Sequence, residues 1–222
     1  MMMKRTSDFD TVGVRSFYDD TAATYARMMD REIDLPMYRT LLARLHERIA
    51  GLDGDLVDTS CGSGQMLAMY HREFEPERFL VAADLSEEMV VLAGERLPES
   101  AQRIVADMRD LGAVDEGSAA GVLSFFALHH LPEDQLQETF AGWARLLVEN
   151  GLLMLATWEG TGLVDYGEEA DITAYRYTQA DIERHLKAAG FRIERSVVEP
   201  VEGLPMDGVY IDASVRREHT TT

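Results

Sequence analysis

LVDTSCGSG, residues 56–64, is a short apolar run that ends in a carboxylate, Asp58, and passes at once into two closely spaced glycines, Gly62 and Gly64. The pattern reads as a buried strand turning sharply into a helix. Glycine lets the backbone take positive φ and come close to a bound molecule, and the N–H groups at the start of the next helix can meet a carboxylate or phosphate. A nucleotide-type cofactor also needs a second acid roughly 20 positions on, to hold its ribose hydroxyls. Asp84 stands at about that distance, closing another apolar run, FLVAAD at 79–84.

Outward from this turn, Met37, Leu41, Leu45 and Ile49 recur at steps of four and Gly51 ends the pattern, which predicts a helix leading into a central strand at 55–59. Upstream, Phe17, Tyr18, Tyr25, Met28 and Met29 lie at near-helical spacing and form an aromatic face. Downstream, a helix from Gly64 to about Phe74 gives way to strand 79–84, and Ser86 is placed to cap a helix with Glu87 and Glu88 in its first turn. Strand 103–106 leads to Asp107 and Met108, and AGVLSFF at 120–126 is a further buried strand. Leu136, Phe140, Trp143 and Leu147 mark a helix face that Asn150-Gly151 is expected to stop, before the strand LLMLATW. Alternating strands and helices imply parallel pairing with right-handed crossovers, so the fold class is α/β.

Residues 159–177 break this rhythm: they are polar and acidic, carry Tyr166 and Tyr175, and follow a strand's carboxyl end, where an insertion lines a binding mouth. Thr178 then caps a helix, strand 191–198 follows, and the link to the last strand, GVYIDASV, is too short for a helical crossover. That strand should pair antiparallel. The organisation expected is a helical lid or cap at 1–50, a core at 51–216 with the insertion at 159–177, and a tail at 217–222.

At 222 residues and 46% hydrophobic content the chain can bury one sizeable core. A formal net charge of −19 works against nucleic acid and anionic membrane as partners, since both need a basic footprint. A small-molecule partner is expected. Cys61 is the single cysteine, so neither an internal disulfide nor a cysteine metal cluster is available. No apolar run approaches the roughly 18 residues of a membrane span, and MMMKRTSDFD has no apolar signal core. A cytoplasmic protein, monomer or homodimer, is the expectation.

Taken together, LVDTSCGSG, AADLSEEM, ADMRDL, GVLSFFALHHL, ENGLLMLATW and the terminal YTQADIERHLKAAGF with strand 208–215 resemble the motifs of class I S-adenosylmethionine-dependent methyltransferases, over residues 15 to 216. The resemblance implies a Rossmann-like, doubly wound, seven-stranded and mostly parallel sheet with an antiparallel last strand, and S-adenosyl-L-methionine as cofactor. It implies that Asp84 accepts hydrogen bonds from the ribose hydroxyls and Asp107 from the adenine amino group, with Leu85, Met89 and Met108 around the base. The methionine end would lie near Ser60, Gly62, Gly64 and the Phe125 carbonyl, with Asp58 ordering the loop and Tyr18 or Tyr25 closing over it. Trp158, Tyr166 and Tyr175 would line the acceptor site. His129 and His130, just past the fourth strand, are the candidates for a general base, and no metal is expected. Ser60 departs from the family pattern, which has glycine there. Two other classes share parts of this pattern. A nicotinamide dehydrogenase needs a third glycine where Leu67 stands, and a non-catalytic methyltransferase-like scaffold would keep the fold without the reaction.

Overall fold

In a computed structural model of the chain, residues 11–164, 172–201 and 204–216 are described. Two helices, α1 (Thr11–Glu32) and α2 (Pro36–Ile49), precede an alternation of β1 (Asp55–Asp58), α3 (Gln65–Glu73), β2 (Leu80–Asp84), α4 (Glu87–Arg96) and β3 (Gln102–Val105). Then come β4 (Ala119–Phe125), α5 (Glu133–Leu146), β5 (Leu147–Trp158), α6 (Gln179–Ala188), β6 (Phe191–Pro200) and β7 (Asp207–Val215). All seven strands form one sheet in the order β3-β2-β1-β4-β5-β7-β6. Pairings from β3 across to β5 are parallel, whereas β7 runs antiparallel to both β5 and β6. The strand order reverses at β1 and β4, and their carboxyl ends are where an open sheet of this kind leaves a crevice.

The two sheet faces carry separate cores. On one, Leu42, Leu45 and Ile49 of α2 pack fully buried with Leu56, Leu67 and Leu80. Burying such an aliphatic side chain contributes about 1.5–3 kcal/mol, which makes α2 a core helix, while α1 lies over the crevice. Gly121 of β4 permits this closeness, since a Cβ there would stand 3.0 Å from Leu56 and 3.1 Å from Ile49. On the other face Leu136, Phe140 and Trp143 of α5 and Ile182 and Leu186 of α6 meet Val57, Val122 and Leu155. The buried Arg78 guanidinium ties the end of α2 to the entry of β1, donating to the carbonyls of Ile49 (3.0 Å), Leu52 (3.3 Å) and Gly54. The Ile49 carbonyl also accepts from the Leu52 N–H (2.9 Å), and the buried cation adds a donor to the carbonyls that follow the helix end.

One boundary departs from expectation. The α5 helix ends at Leu146, and Leu147 already pairs with Ala119 as the first residue of β5. Asn150, at φ 62°, therefore shapes a bulge within β5 instead of stopping a helix. No helix among the described residues is long and apolar enough to cross a membrane.

Candidate active site

The turn after β1 is pinned to both neighbouring strands. The Thr59 N–H donates to the Leu123 carbonyl of β4 (3.0 Å) and the Cys61 N–H to the Ala83 carbonyl of β2 (2.8 Å). Two carboxylates finish the job: Asp58 accepts from the Ser60 N–H (3.1 Å), and Asp84 accepts from the Gly62 N–H (2.8 Å) and the Ser86 N–H (2.9 Å). Both acids are buried at adjacent strand ends. Burial, which disfavours the charged form, raises Asp58 to about 7 and Asp84 to about 6, and each feels the other's or a neighbour's negative charge in the same direction.

Above this turn lies a cavity of about 630 Å³ whose walls include Ser60, Gly62, Asp84, Leu85, Met89, Asp107, Met108, Phe125 and His130, with Tyr18 and Tyr25 of α1 across from them. A wider cavity of about 1510 Å³ adjoins it, sharing Tyr18, Tyr25, Ser60, Gly62 and Phe125 and adding Asp58, His129 and Trp158. Neither cavity is lined by a lysine or arginine among the described residues. The hydroxyl of Ser60 is buried and has no hydrogen-bond partner among the described residues, so the loop carries an unused polar group at the common wall. That group, the two carboxylates and the missing positive charge fit a cationic, nucleoside-bearing cofactor.

Around the rim, polar contacts from several elements fix the loops. Ser86 caps α4 through the Met89 N–H (3.1 Å), and its own hydroxyl donates to Asp19 of α1 (2.6 Å). Asp107 accepts from the Arg109 backbone N–H (2.9 Å) and side chain; burial would raise its pKa, but these hydrogen bonds and the Arg109 charge outweigh that and hold it below the usual range. The Met108 carbonyl accepts from the Trp143 indole at 2.8 Å, so the loop after β3 is held by α5.

Past β4, one turn of 3-10 helix (Leu128–His130) buries both histidines. His130 Nδ1 faces the Thr173 carbonyl at 3.1 Å, which accepts only, so the proton resides on Nδ1. Its Nε2 lone pair then accepts a hydrogen bond from the Tyr18 hydroxyl at 2.9 Å. Burial depresses His130 to about 4, and burial plus the His130 neighbour holds His129 well below the ordinary imidazole value. Both rings are therefore neutral and weakly basic near neutral pH, and the Nε2 lone pair of His130 is engaged by Tyr18.

Most residues singled out from sequence converge on the two cavities, with three exceptions. Gly64 lines neither: at φ 86° a Cβ would stand 3.1 Å from Ala93 of α4, so the glycine lets α3 and α4 pack closely. Tyr175 turns to a separate depression beside Tyr177, its backbone N–H donating to the His129 carbonyl (2.6 Å), because it bridges to Leu163 and leaves the cavities to other side chains. Tyr166 lies outside the described residues. Sequence reasoning missed Phe126, which lines both cavities, and Tyr38 of α2 in the wider one. A second aromatic straight after β4 was the only local signal for Phe126.

Residues 56–151 match the family model of a methyltransferase domain. The sheet order above is that of the Rossmann-like fold of class I S-adenosylmethionine-dependent methyltransferases. The chain's fold is similar to that of the 1,6-didemethyltoxoflavin-N1-methyltransferase of Burkholderia thailandensis, solved with 1,6-didemethyltoxoflavin and S-adenosylhomocysteine (21% identity, TM-score 0.74, 98% of this chain and 94% of that one). It is also similar to magnesium protoporphyrin IX methyltransferase of Synechocystis PCC 6803 with bound S-adenosylmethionine (19%, 0.71, 96% and 100%), and to the SpnF cyclase (16%, 0.62, 80% and 80%). No curated protein matches the sequence.

Proposed function

We propose that this chain transfers a methyl group from S-adenosyl-L-methionine to a small-molecule acceptor by in-line displacement. The observation that carries the reading is the pair of buried carboxylates, Asp58 and Asp84, on the walls of two adjoining cavities that no lysine or arginine lines among the described residues. When bound, S-adenosylmethionine supplies a methyl group already activated by a sulfonium centre. Asp84 holds the ribose hydroxyls, Asp107 the adenine amino group, and Leu85, Met89 and Met108 enclose the base. Ser60, Gly62 and the Phe125 carbonyl meet the methionine end, and Asp58 keeps the Ser60 backbone in place. The chain's contribution is to position the acceptor and exclude water, which can carry much of the catalysis.

Helix α1 serves as the lid. Only Val14, Ala22 and Ala26 of its residues are buried, while polar ties fasten it at Tyr18–His130, Asp19–Ser86 and Asp30–Arg96. With the His130 lone pair engaged by Tyr18, the acceptor atom attacks through a lone pair it already has, and any proton leaves to solvent afterwards. The acceptors of the similar methyltransferases, a toxoflavin precursor and a porphyrin, support a small molecule. The protein acts in the cytoplasm, as a monomer or homodimer.

A scaffold that binds cofactor without transfer is the second reading. Ser60, a side chain where the class has glycine, favours it, and the same fold serves a cyclase. Calorimetric titration with S-adenosylmethionine and S-adenosylhomocysteine, then turnover over a panel of oxygen, nitrogen and carbon acceptors, separates them. Binding with transfer supports the enzyme, binding with none supports the scaffold, and no binding ends both.

A further inference from the structure

We infer that the wider cavity takes a planar aromatic acceptor bearing no anionic group, stacked against the Phe126–Trp158 pair. This rests on the methyl-transfer reading above, and adds the class of molecule that reading leaves open.

The first argument is the wall itself. Phe126 sits at φ 49°, a left-handed conformation that a bulky side chain adopts only where its surroundings impose it. Its N–H is held by the Ala156 carbonyl of β5 at 2.8 Å. The ring lies 4.4 Å from that of Trp158 at 39°, and Tyr210 of β7 braces it edge-on at 6.0 Å. Three strands thus hold one aromatic ring at the junction of the two cavities, since Phe126 lines both. A ring planted in this way offers a flat face without first losing conformational freedom.

The facing wall comes from α1: Phe17, Tyr25, Met28 and Met29 line the same cavity. Flexible thioethers pack favourably against aromatic faces, and aromatic rings pair in offset or edge geometries. A cavity between a fixed aromatic pair and a methionine-rich lid selects a flat ring system over a saturated one of equal volume.

Charge supplies the second argument. The carboxylic acids among the lining residues are Glu32 and Asp58, no lysine or arginine lines the cavity among the described residues, and burial keeps its histidine, His129, neutral. A carboxylate or phosphate entering it would lose its water without gaining a counter-ion from the walls, and would lie beside the Glu32 and Asp58 carboxyls. The chain's formal net charge of −19 works in the same direction at longer range. Neutral and cationic rings meet neither penalty.

The test uses three probes with one carbon skeleton: 2-naphthol, 2-naphthoate and decahydro-2-naphthol. Each is titrated by calorimetry near neutral pH into the full chain, with and without saturating S-adenosylhomocysteine. We expect 2-naphthol to bind at least tenfold more tightly than either of the others. Trp158→Leu and Phe126→Leu should each weaken it about tenfold, with melting curves confirming that both variants fold, and with S-adenosylhomocysteine affinity kept in Trp158→Leu. Equal binding of 2-naphthoate overturns the charge argument, and equal binding of the saturated alcohol overturns the stacking. Failure of 2-naphthol to bind, or binding indifferent to both variants, overturns the assignment as a whole. If 2-naphthol binds as expected while S-adenosylhomocysteine does not bind at all, it is the methyl-transfer reading that falls and the aromatic site that stands.

Discussion

Asp84→Asn is the substitution that tests the cofactor site most directly, because it removes charge while nearly preserving shape. In the folded chain the carboxylate accepts two backbone N–H groups, from Gly62 at 2.8 Å and Ser86 at 2.9 Å. An amide has one acceptor oxygen, so one of these donors is orphaned, at a cost of about 1–3 kcal/mol in stability. Against this stands the penalty of the buried carboxylate. Burial raises Asp84 from 3.8 to about 6, so the folded state binds more protons than the unfolded state between those values. The wild type therefore loses stability as pH rises through that window, and the loss is complete above about 6. The amide variant does not titrate, and its stability relative to wild type should rise across the same window by up to about 3 kcal/mol, two units at about 1.4 each. Cofactor affinity should move the other way. Loss of charge-assisted hydrogen bonds to the ribose weakens S-adenosylmethionine by about 3 kcal/mol, roughly 150-fold, at 1.5–3 kcal/mol for each bond. Calorimetric titration above pH 7 reads the affinity, and urea melts between pH 4 and 7 read the stability difference. An unchanged affinity would remove Asp84 from the ribose site, and a stability difference flat in pH would refute the raised pKa.

Asp107→Ala should weaken cofactor binding less than Asp84→Asn does, since it meets one neutral amino group and is already engaged by Arg109; the reverse order in the same titration would mean that the adenine lies elsewhere. Deleting residues 1–32 should abolish turnover and leave the core's circular dichroism intact, and hydrogen exchange in residues 15–30 should slow when cofactor is added. Full-rate turnover by the truncated chain would make α1 a packing element only. Gly64→Ala should destabilise by about 2–4 kcal/mol in denaturant melts, the sum of a left-handed backbone cost and overpacking against Ala93, and a neutral result would refute the packing role. Because burial holds His130 at about 4, while Asp58 at about 7 and Asp84 at about 6 titrate in the same site, any inflection of kcat/KM near pH 6.5 for an acceptor that does not itself titrate should persist in His130→Gln; one that disappears in that variant would reinstate the histidine as a base.

The strands and their terminal carboxylates were legible because each is a local event: a run of apolar residues, an acid, a turn glycine. The antiparallel last strand followed from the length of its link alone. What escaped depended on partners distant in the chain. The Asn150-Gly151 pair is a good helix stop, yet pairing of Leu147 with Ala119 claims those residues for the sheet first. Gly64 looks like a ligand-facing glycine until Ala93, on another helix, is found against it. Tyr175 sits in the expected insertion, but its backbone bridge to Leu163 decides which way its ring turns. The histidine pair was found from position, whereas the tautomer of His130 is set by the Thr173 carbonyl and the Tyr18 hydroxyl, both distant in the chain. Phe126 carried no signal for its positive φ, a conformation imposed by tertiary contacts.

The scarcity of positive charge around the two cavities bears on how the reaction ends. Methyl transfer turns a sulfonium into a neutral thioether, so the acidic walls attract the reactant form of the cofactor more strongly than the spent form. That difference is Coulombic, and added salt screens its long-range part. Product inhibition by S-adenosylhomocysteine should accordingly grow relative to substrate affinity as ionic strength rises, so that the salt concentration sets how readily the spent cofactor makes way for the next turnover.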